Sequence, residues 1–316
     1  MTQPQPSALT AQTFLLCPGQ GAQSVGMGLE WFNASPAAKQ TFAAADRELG
    51  FALSDLCFEG PAETLNRTDV AQAAIYVTSA ACYQALVEDG QLSQPDAVAG
   101  LSLGEFTALY LAGAISFSDG LKLVRLRGRA MQEAADAAPS SMVAVTGDVS
   151  EARAKELCEE VLADDPSQVL VPANFNSPMQ VVLSGSTEAC EKAVPAAEAM
   201  GFKATPLSVA GAFHSPLMKP AADKLAKALD QVEWSAPTVP VIANVTAEPH
   251  TDDIDTIKRR LVEQLTHPVR WSQSMRYAAR HHADHRFVEL APGKVLTGLM
   301  RRTEKTIKVE NFDKPR

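Results

Sequence analysis

The most restrictive feature of the chain is a five-residue turn, Gly100-Leu101-Ser102-Leu103-Gly104, set between a short apolar run, Ala97-Val98-Ala99, and a helical stretch over residues 105–114. An apolar run of that length reads as a buried strand. G-x-S-x-G between a strand and a helix marks a nucleophile elbow, a sharp backbone turn that projects a serine hydroxyl beyond the strand end. The two glycines allow backbone to pack closely on either side. The serine also lies at a helix N-terminus, where unpaired N–H groups can stabilise an oxyanion, and the N–H of Leu103 is the first such donor. A glycine-rich turn with an N-capping serine would carry the same five residues; the strand–turn–helix setting favours the elbow.

An elbow of this kind belongs on a parallel sheet, and the rest of the chain is patterned for one. Phe14-Leu15-Leu16-Cys17 is an apolar run that meets a turn at Pro18-Gly19, and residues 71–87 form a long, mostly apolar helix. Alternation of strand and helix predicts an α/β core. After Pro139 the order changes. Strands are predicted at 142–146, 169–175, 180–183 and 202–209, with helices at 150–162, capped by Ser150, and at 187–200. The order β-α-β-β-α-β is ferredoxin-like. The expected organisation is a catalytic core from residues 13–138 and 207–316, a small inserted domain at 139–206, and a disordered lead-in at 1–12. A helix at 216–229 resumes the core. The 316 residues, 46% of them hydrophobic, suffice for both cores.

The net charge of −9 disfavours nucleic-acid binding across the surface. Five cysteines, odd in number and never in a CxxC pair, give neither a zinc site nor a disulfide framework and suit a reducing cytoplasm. Residues 1–12 hold no Lys or Arg, unlike a secretory or transit signal, and no stretch of spanning length is uniformly apolar. No membrane association is expected.

A serine nucleophile needs a base. His214, in Gly211-Ala212-Phe213-His214-Ser215-Pro216, sits on a loop entering a helix whose N-cap and N1 residues are Ser215 and Pro216. Sheet ends carry the sites of open α/β folds, and serine before histidine is the chain order of this class. His281, His282 and His285 read as a solvated helix end rather than a metal site, His250 as part of a polar loop, and His267, before Pro268, as a turn residue. No acidic residue stands out as a third member; a backbone carbonyl is the alternative. On the helix after Ser118, Lys122, Arg125, Arg129, Gln132 and Glu133 share one side, whereas Arg127 falls among Leu123, Val124, Ala130 and Met131. An inward guanidinium stays charged and needs an anion, either a carboxylate of the fold or one brought by a substrate. Pro18-Gly19-Gln20-Gly21 lacks the third glycine of a dinucleotide fingerprint. It reads instead as an edge loop offering a second oxyanion donor, the N–H of Gln20.

These segments, together with Asn174-Phe175-Asn176-Ser177-Pro178 and Ala291-Pro292-Gly293-Lys294-Val295-Leu296, resemble the malonyl-CoA:acyl carrier protein transacylases of type II fatty acid synthesis over residues 14–302. The resemblance implies an α/β-hydrolase-like core with the ferredoxin-like insert. It implies a Ser102–His214 dyad with the ring held by the backbone carbonyl of Gln264. It further implies Arg127 on the substrate carboxylate, Gln20 and Leu103 in the oxyanion hole, and Phe213, Asn174 and Asn176 lining the pocket, with Phe213 going with malonyl rather than a branched extender unit. The chain departs from the family pattern at Leu101, where histidine is common. The implied reaction is ping-pong transfer of malonyl from malonyl-CoA to holo acyl carrier protein, with no metal or organic cofactor; the sequence does not fix the oligomeric state, and a monomer is the expectation. Acyl carrier proteins are acidic, so Lys294, Arg301 and Arg302, near Lys305 and Lys308, would suit docking; a solvated helix end is the alternative. Rival readings are a transacylase for another extender unit in polyketide synthesis, a serine esterase or thioesterase on the same scaffold, and a carrier-binding protein without activity.

Overall fold

The computed structural model describes residues 12–163 and 165–316, so that all but Gln12 of the predicted lead-in lies outside the described residues. Among them, nine strands run in chain order: β1 (Thr13–Cys17), β2 (Ala97–Gly100), β3 (Ser140–Thr146), β4 (Leu170–Ser177), β5 (Gln180–Ser186), β6 (Lys203–Pro206), β7 (Val241–Ile242), β8 (Arg286–Leu290) and β9 (Val309–Phe312). They form a five-stranded sheet, β7-β2-β1-β8-β9, and a four-stranded sheet, β4-β5-β3-β6.

Every pairing in the larger sheet is parallel. Helices cover both faces, which is why β1 and β2 are apolar at successive positions rather than alternating. Parallel strands end on one edge. Cys17 is in register with Gly100, and β7 flanks β2 on its other side. The loops after β1, β2 and β7 therefore emerge side by side, at the edge where open α/β sheets hold their sites.

The smaller sheet is antiparallel with the ferredoxin-like strand order. Its period-2 alternation separates two packings. Val143, Val145, Val181 and Leu183 face a private core with helices Glu151–Leu162 and Thr187–Ala199, whereas Met142, Ala144, Ala173 and Val182 join the main core. The strand β4 is stitched to the larger unit: Phe175 N–H donates to Val269 O at 2.9 Å, and Val269 N–H donates to Ala173 O at 2.8 Å.

Three details differ from the sequence reading. The predicted strand at 202–209 ends at Pro206; one more hydrogen bond, from Leu207 N–H to Met142 O at 2.9 Å, follows it, and residues 207–210 line a cavity. The predicted helix at 216–229 begins with a 3-10 turn, Pro216–Met218, before the helix Lys219–Leu229. Helix Thr68–Glu88 is long and apolar enough to cross a membrane, but most of it is buried inside the protein. It lies against helix Phe117–Ala137 as the central helix of the main core.

Candidate active site

Ser102 follows β2 with φ 53°, a left-handed conformation that costs a non-glycine residue about 1–3 kcal/mol. The neighbouring backbone leaves room for nothing else. A Cβ on Gly100 would lie 1.9 Å from the carbonyl of Gly104, and one on Gly104 would lie 2.1 Å from Cys17 O. The turn is held from outside by Asn244, two residues past the end of β7. Its Oδ1 accepts the Ser102 N–H at 2.6 Å and its Nδ2 donates to Gly100 O at 2.7 Å. The loop after β1 abuts the same turn, since a Cβ on Gly19 would meet Leu101 O at 2.3 Å. Among the described residues, the N–H groups of Gln20 and Leu103 have no protein acceptor.

His214 reaches the elbow from the loop before Pro216, also with positive φ, 58°. Its Nε2 lies 2.8 Å from Ser102 Oγ and its Nδ1 lies 2.6 Å from the backbone oxygen of Gln264. A carbonyl can only accept, so Nδ1 carries the ring hydrogen and Nε2 presents a lone pair to the serine hydroxyl. Burial pushes the His214 pKa down to about 4, the positive charge of Arg127 pushes the same way, and the Gln264 hydrogen bond opposes both. A base must be neutral to act, and the neutral form is lost only as pH falls through that value. The rate of Ser102 acylation is therefore expected to stay flat from pH 7 to about 5 and to fall near pH 4. A pH-jump measurement of thiol release checks this; a midpoint near 6.5, the ordinary imidazole value, would overturn it.

Helix Phe117–Ala137, capped by Ser116 through Asp119 N, carries Arg127 on its inner face, where the side chain is only 1% exposed. Nη1 donates to Gln72 Oε1 at 2.7 Å, and Nη2 donates to Ser102 Oγ at 3.0 Å and to Gln264 Oε1 at 2.8 Å. No carboxylate of the fold touches the guanidinium among the described residues, so the alternative of a direct buried Arg–carboxylate pair does not hold. Burial lowers the Arg127 pKa to about 10, opposed by the Glu105 carboxylate, and the group is cationic at neutral pH. Arg125, assigned to the solvated side, is half-buried and donates to Leu49 O at 2.9 Å.

A cavity of ≈ 440 Å³ opens over these groups. Ser102, His214 and Arg127 form its floor with Gln20, and Phe213, Asn174 and Asn176 line it as the resemblance implied. Leu101 borders it too. Lys294, Arg301 and Arg302 are exposed at the two ends of helix Val295–Thr303 and do not line the cavity.

Four residues around the site escaped the sequence reading: Asn244, Gln72, Glu105 and His250. His250, assigned to a polar loop, is buried with Nε2 2.7 Å from Glu105 Oε1. Glu105 follows the elbow and is itself buried; a carboxylate on the inner side of an apolar helix is the signal that could have found it.

The acyl transferase domain family matches residues 13–313. The malonyl CoA-acyl carrier protein transacylase of Escherichia coli (strain K12) is 43% identical over 299 residues, covering 94% of each chain. A polyketide biosynthesis malonyl CoA-acyl carrier protein transacylase of Bacillus subtilis (strain 168) is 40% identical, covering 91% of this chain and 96% of its own. Among solved structures, a malonyl-transacylase in complex with its type II polyketide synthase acyl-carrier protein superposes with a TM-score of 0.91 at 38% identity, covering 96% of this chain and 97% of that chain.

Proposed function

The chain belongs to the malonyl-CoA:acyl carrier protein transacylase family, and we propose from that premise that it moves malonyl from coenzyme A to the phosphopantetheine thiol of acyl carrier protein through a malonyl-Ser102 ester. The observation that carries the reading is a buried guanidinium that touches no carboxylate among the described residues, 3.0 Å from the nucleophile oxygen. A hydrolase of simple esters has no use for that charge beside its serine. A substrate with a second, anionic end does.

In the proposed reaction His214 Nε2 takes the Ser102 hydroxyl proton as Oγ attacks the thioester carbon. The N–H groups of Gln20 and Leu103 hold the tetrahedral oxyanion, each such donor lowering the barrier by about 2.7–4 kcal/mol. Collapse expels the CoA thiolate, which recovers the proton from His214. The carrier thiol then gives its proton to His214 and attacks the malonyl-serine ester, and His214 returns that proton to Ser102 Oγ as it leaves. Two half-reactions sharing one site give ping-pong kinetics. Arg127 holds the malonyl carboxylate throughout with its two parallel donors, turning Nη2 away from Ser102 Oγ to do so. No residue is assigned to a metal or an organic cofactor. The product is an extender unit for fatty acid synthesis. Five free cysteines, all buried, suit a reducing cytoplasm.

Intact-protein mass spectrometry after brief exposure to malonyl-CoA, acetyl-CoA or methylmalonyl-CoA tests the reading. A malonyl adduct that disappears on adding holo carrier protein is expected. Phe213 lines the cavity beside His214, and a preference for malonyl over the branched methylmalonyl unit is expected. A methylmalonyl adduct in preference to malonyl points to polyketide extender supply. Free release of CoA without an adduct points to a thioesterase, and neither adduct nor release to a binding protein.

Lys294, Arg301 and Arg302 would dock the acidic carrier by charge complementarity, which acts chiefly on association. Reversing Arg301 and Arg302 to glutamate is expected to raise the apparent KM for carrier on the order of tenfold and leave that for malonyl-CoA unchanged. Equal KM values for carrier in variant and wild type would remove the patch from the docking surface.

A further inference from the structure

Glu105 lies three residues past the nucleophile, on the first turn of helix Gly104–Leu111, with 1% of its surface exposed. A buried carboxylate is costly unless its oxygens are matched by donors, and here two of the three donors belong to groups that hold the site. Oε2 accepts from Gln264 Nε2 at 2.6 Å and from the Asn244 backbone N–H at 3.3 Å; Oε1 lies 2.7 Å from His250 Nε2. Asn244 clamps the Ser102 turn at two points. Gln264 presents its backbone oxygen to His214 and its side-chain oxygen to Arg127. One carboxylate thus stands a single residue away from nucleophile, base and guanidinium.

The Gln264 amide gives this arrangement a polarity. Its Nε2 donates to Glu105 and to Ser102 O at 3.0 Å, which leaves Oε1, an acceptor, facing Arg127. Turned over, the amide would aim its NH₂ at the guanidinium and its oxygen at the carboxylate, two mismatches in a dry site. Glu105 forbids that state. It also places a carboxylate one amide removed from Arg127, too far to occupy the donors meant for substrate.

We propose that Glu105, held by His250, is a positioning residue that sets the orientation of Gln264 and through it the aim of Arg127, and so governs discrimination between carboxylate-bearing and plain acyl groups. The inference rests on the reading of Arg127 as the malonyl-carboxylate site.

The test is the ratio of kcat/KM for malonyl-CoA to that for acetyl-CoA in wild type, Glu105→Gln and Gln264→Met. In Glu105→Gln the charge is lost and only one acceptor oxygen remains, so position 105 can no longer accept from both Gln264 and His250, which weakens the hold on the observed Gln264 orientation. In Gln264→Met the backbone oxygen for His214 remains and only the amide link is removed. Both variants are expected to lower the ratio by about tenfold to a hundredfold, the scale of a misplaced binding group, mainly through a raised KM for malonyl-CoA. A residue of purely structural importance would lower both substrates alike; an unchanged ratio in Gln264→Met, or in a folded Glu105→Gln, overturns the proposal. A wild type without preference for malonyl-CoA overturns the underlying reading of Arg127 instead.

Discussion

Replacing Ser102 by alanine is expected to abolish the malonyl adduct and to lower carrier malonylation by about 10⁴- to 10⁶-fold, the scale of loss when a serine nucleophile that works as a unit with its base is deleted. The fold should tolerate the change better than the chemistry does. Ser102 contributes its backbone to the elbow, and the Asn244 contact to its N–H at 2.6 Å survives truncation of the side chain. Alanine must still adopt the positive φ, so a modest loss of stability, about 1 kcal/mol, is the most that strain should add. Arg127 keeps its contacts to Gln72 and Gln264, so malonyl-CoA should still bind with nearly its original affinity. Mass spectrometry for the adduct, denaturant titration for stability and equilibrium binding of malonyl-CoA separate the three effects. A persistent adduct in the variant would place the nucleophile elsewhere.

His214→Ala would not give the same pattern, because the serine would remain without its base. The pair is informative for how the site was legible in the sequence. The elbow could be read because strand, turn and helix are contiguous, and Arg127 because helical period alone puts one cation on an apolar stripe. His214 could be singled out by its loop, but its pairing with Ser102 spans 112 residues and follows only from strand order. The role of Gln264 came from family resemblance and from no local pattern. Asn244 was invisible for a geometric reason. It acts because β7, a two-residue strand too short to show alternation, lies beside β2. Gln72 was hidden by helix Thr68–Glu88, which is buried all round, so no face of it marks a functional side chain. Glu105 stood out only as a carboxylate on an apolar helix, and His250 looked ordinary alone. Only the fold shows that each answers the other's burial. The ferredoxin-like unit was readable because its β-α-β-β-α-β order is local, whereas the order of the parallel strands is not encoded in any one stretch.

Arg127→Ala carries the largest expected change in specificity. A malonyl carboxylate entering the cavity gives up water, and without the guanidinium nothing at the floor returns its charge interactions. Removing one partner of a buried ion pair costs about 3–5 kcal/mol, so kcat/KM for malonyl-CoA should fall by roughly two to three and a half orders of magnitude. Acetyl-CoA, which never used the charge, should be transferred as well as before or better, because its methyl group no longer faces a buried cation. Arg127→Lys should fall between the two, since an ammonium keeps the charge but cannot present two parallel donors. Two side effects follow from the geometry. Gln72 Oε1 and Gln264 Oε1 lose their donor, at about 1–3 kcal/mol of stability for each left unsatisfied. The charge that helps hold the His214 pKa near 4 also disappears, so the pH at which acetyl transfer by Arg127→Ala is half-lost should move upward from the wild-type value. Competing malonyl-CoA against acetyl-CoA across pH 4 to 8 reads both consequences in one experiment. A variant that still prefers malonyl-CoA, with an unmoved pH midpoint, would separate Arg127 from both the substrate carboxylate and the base.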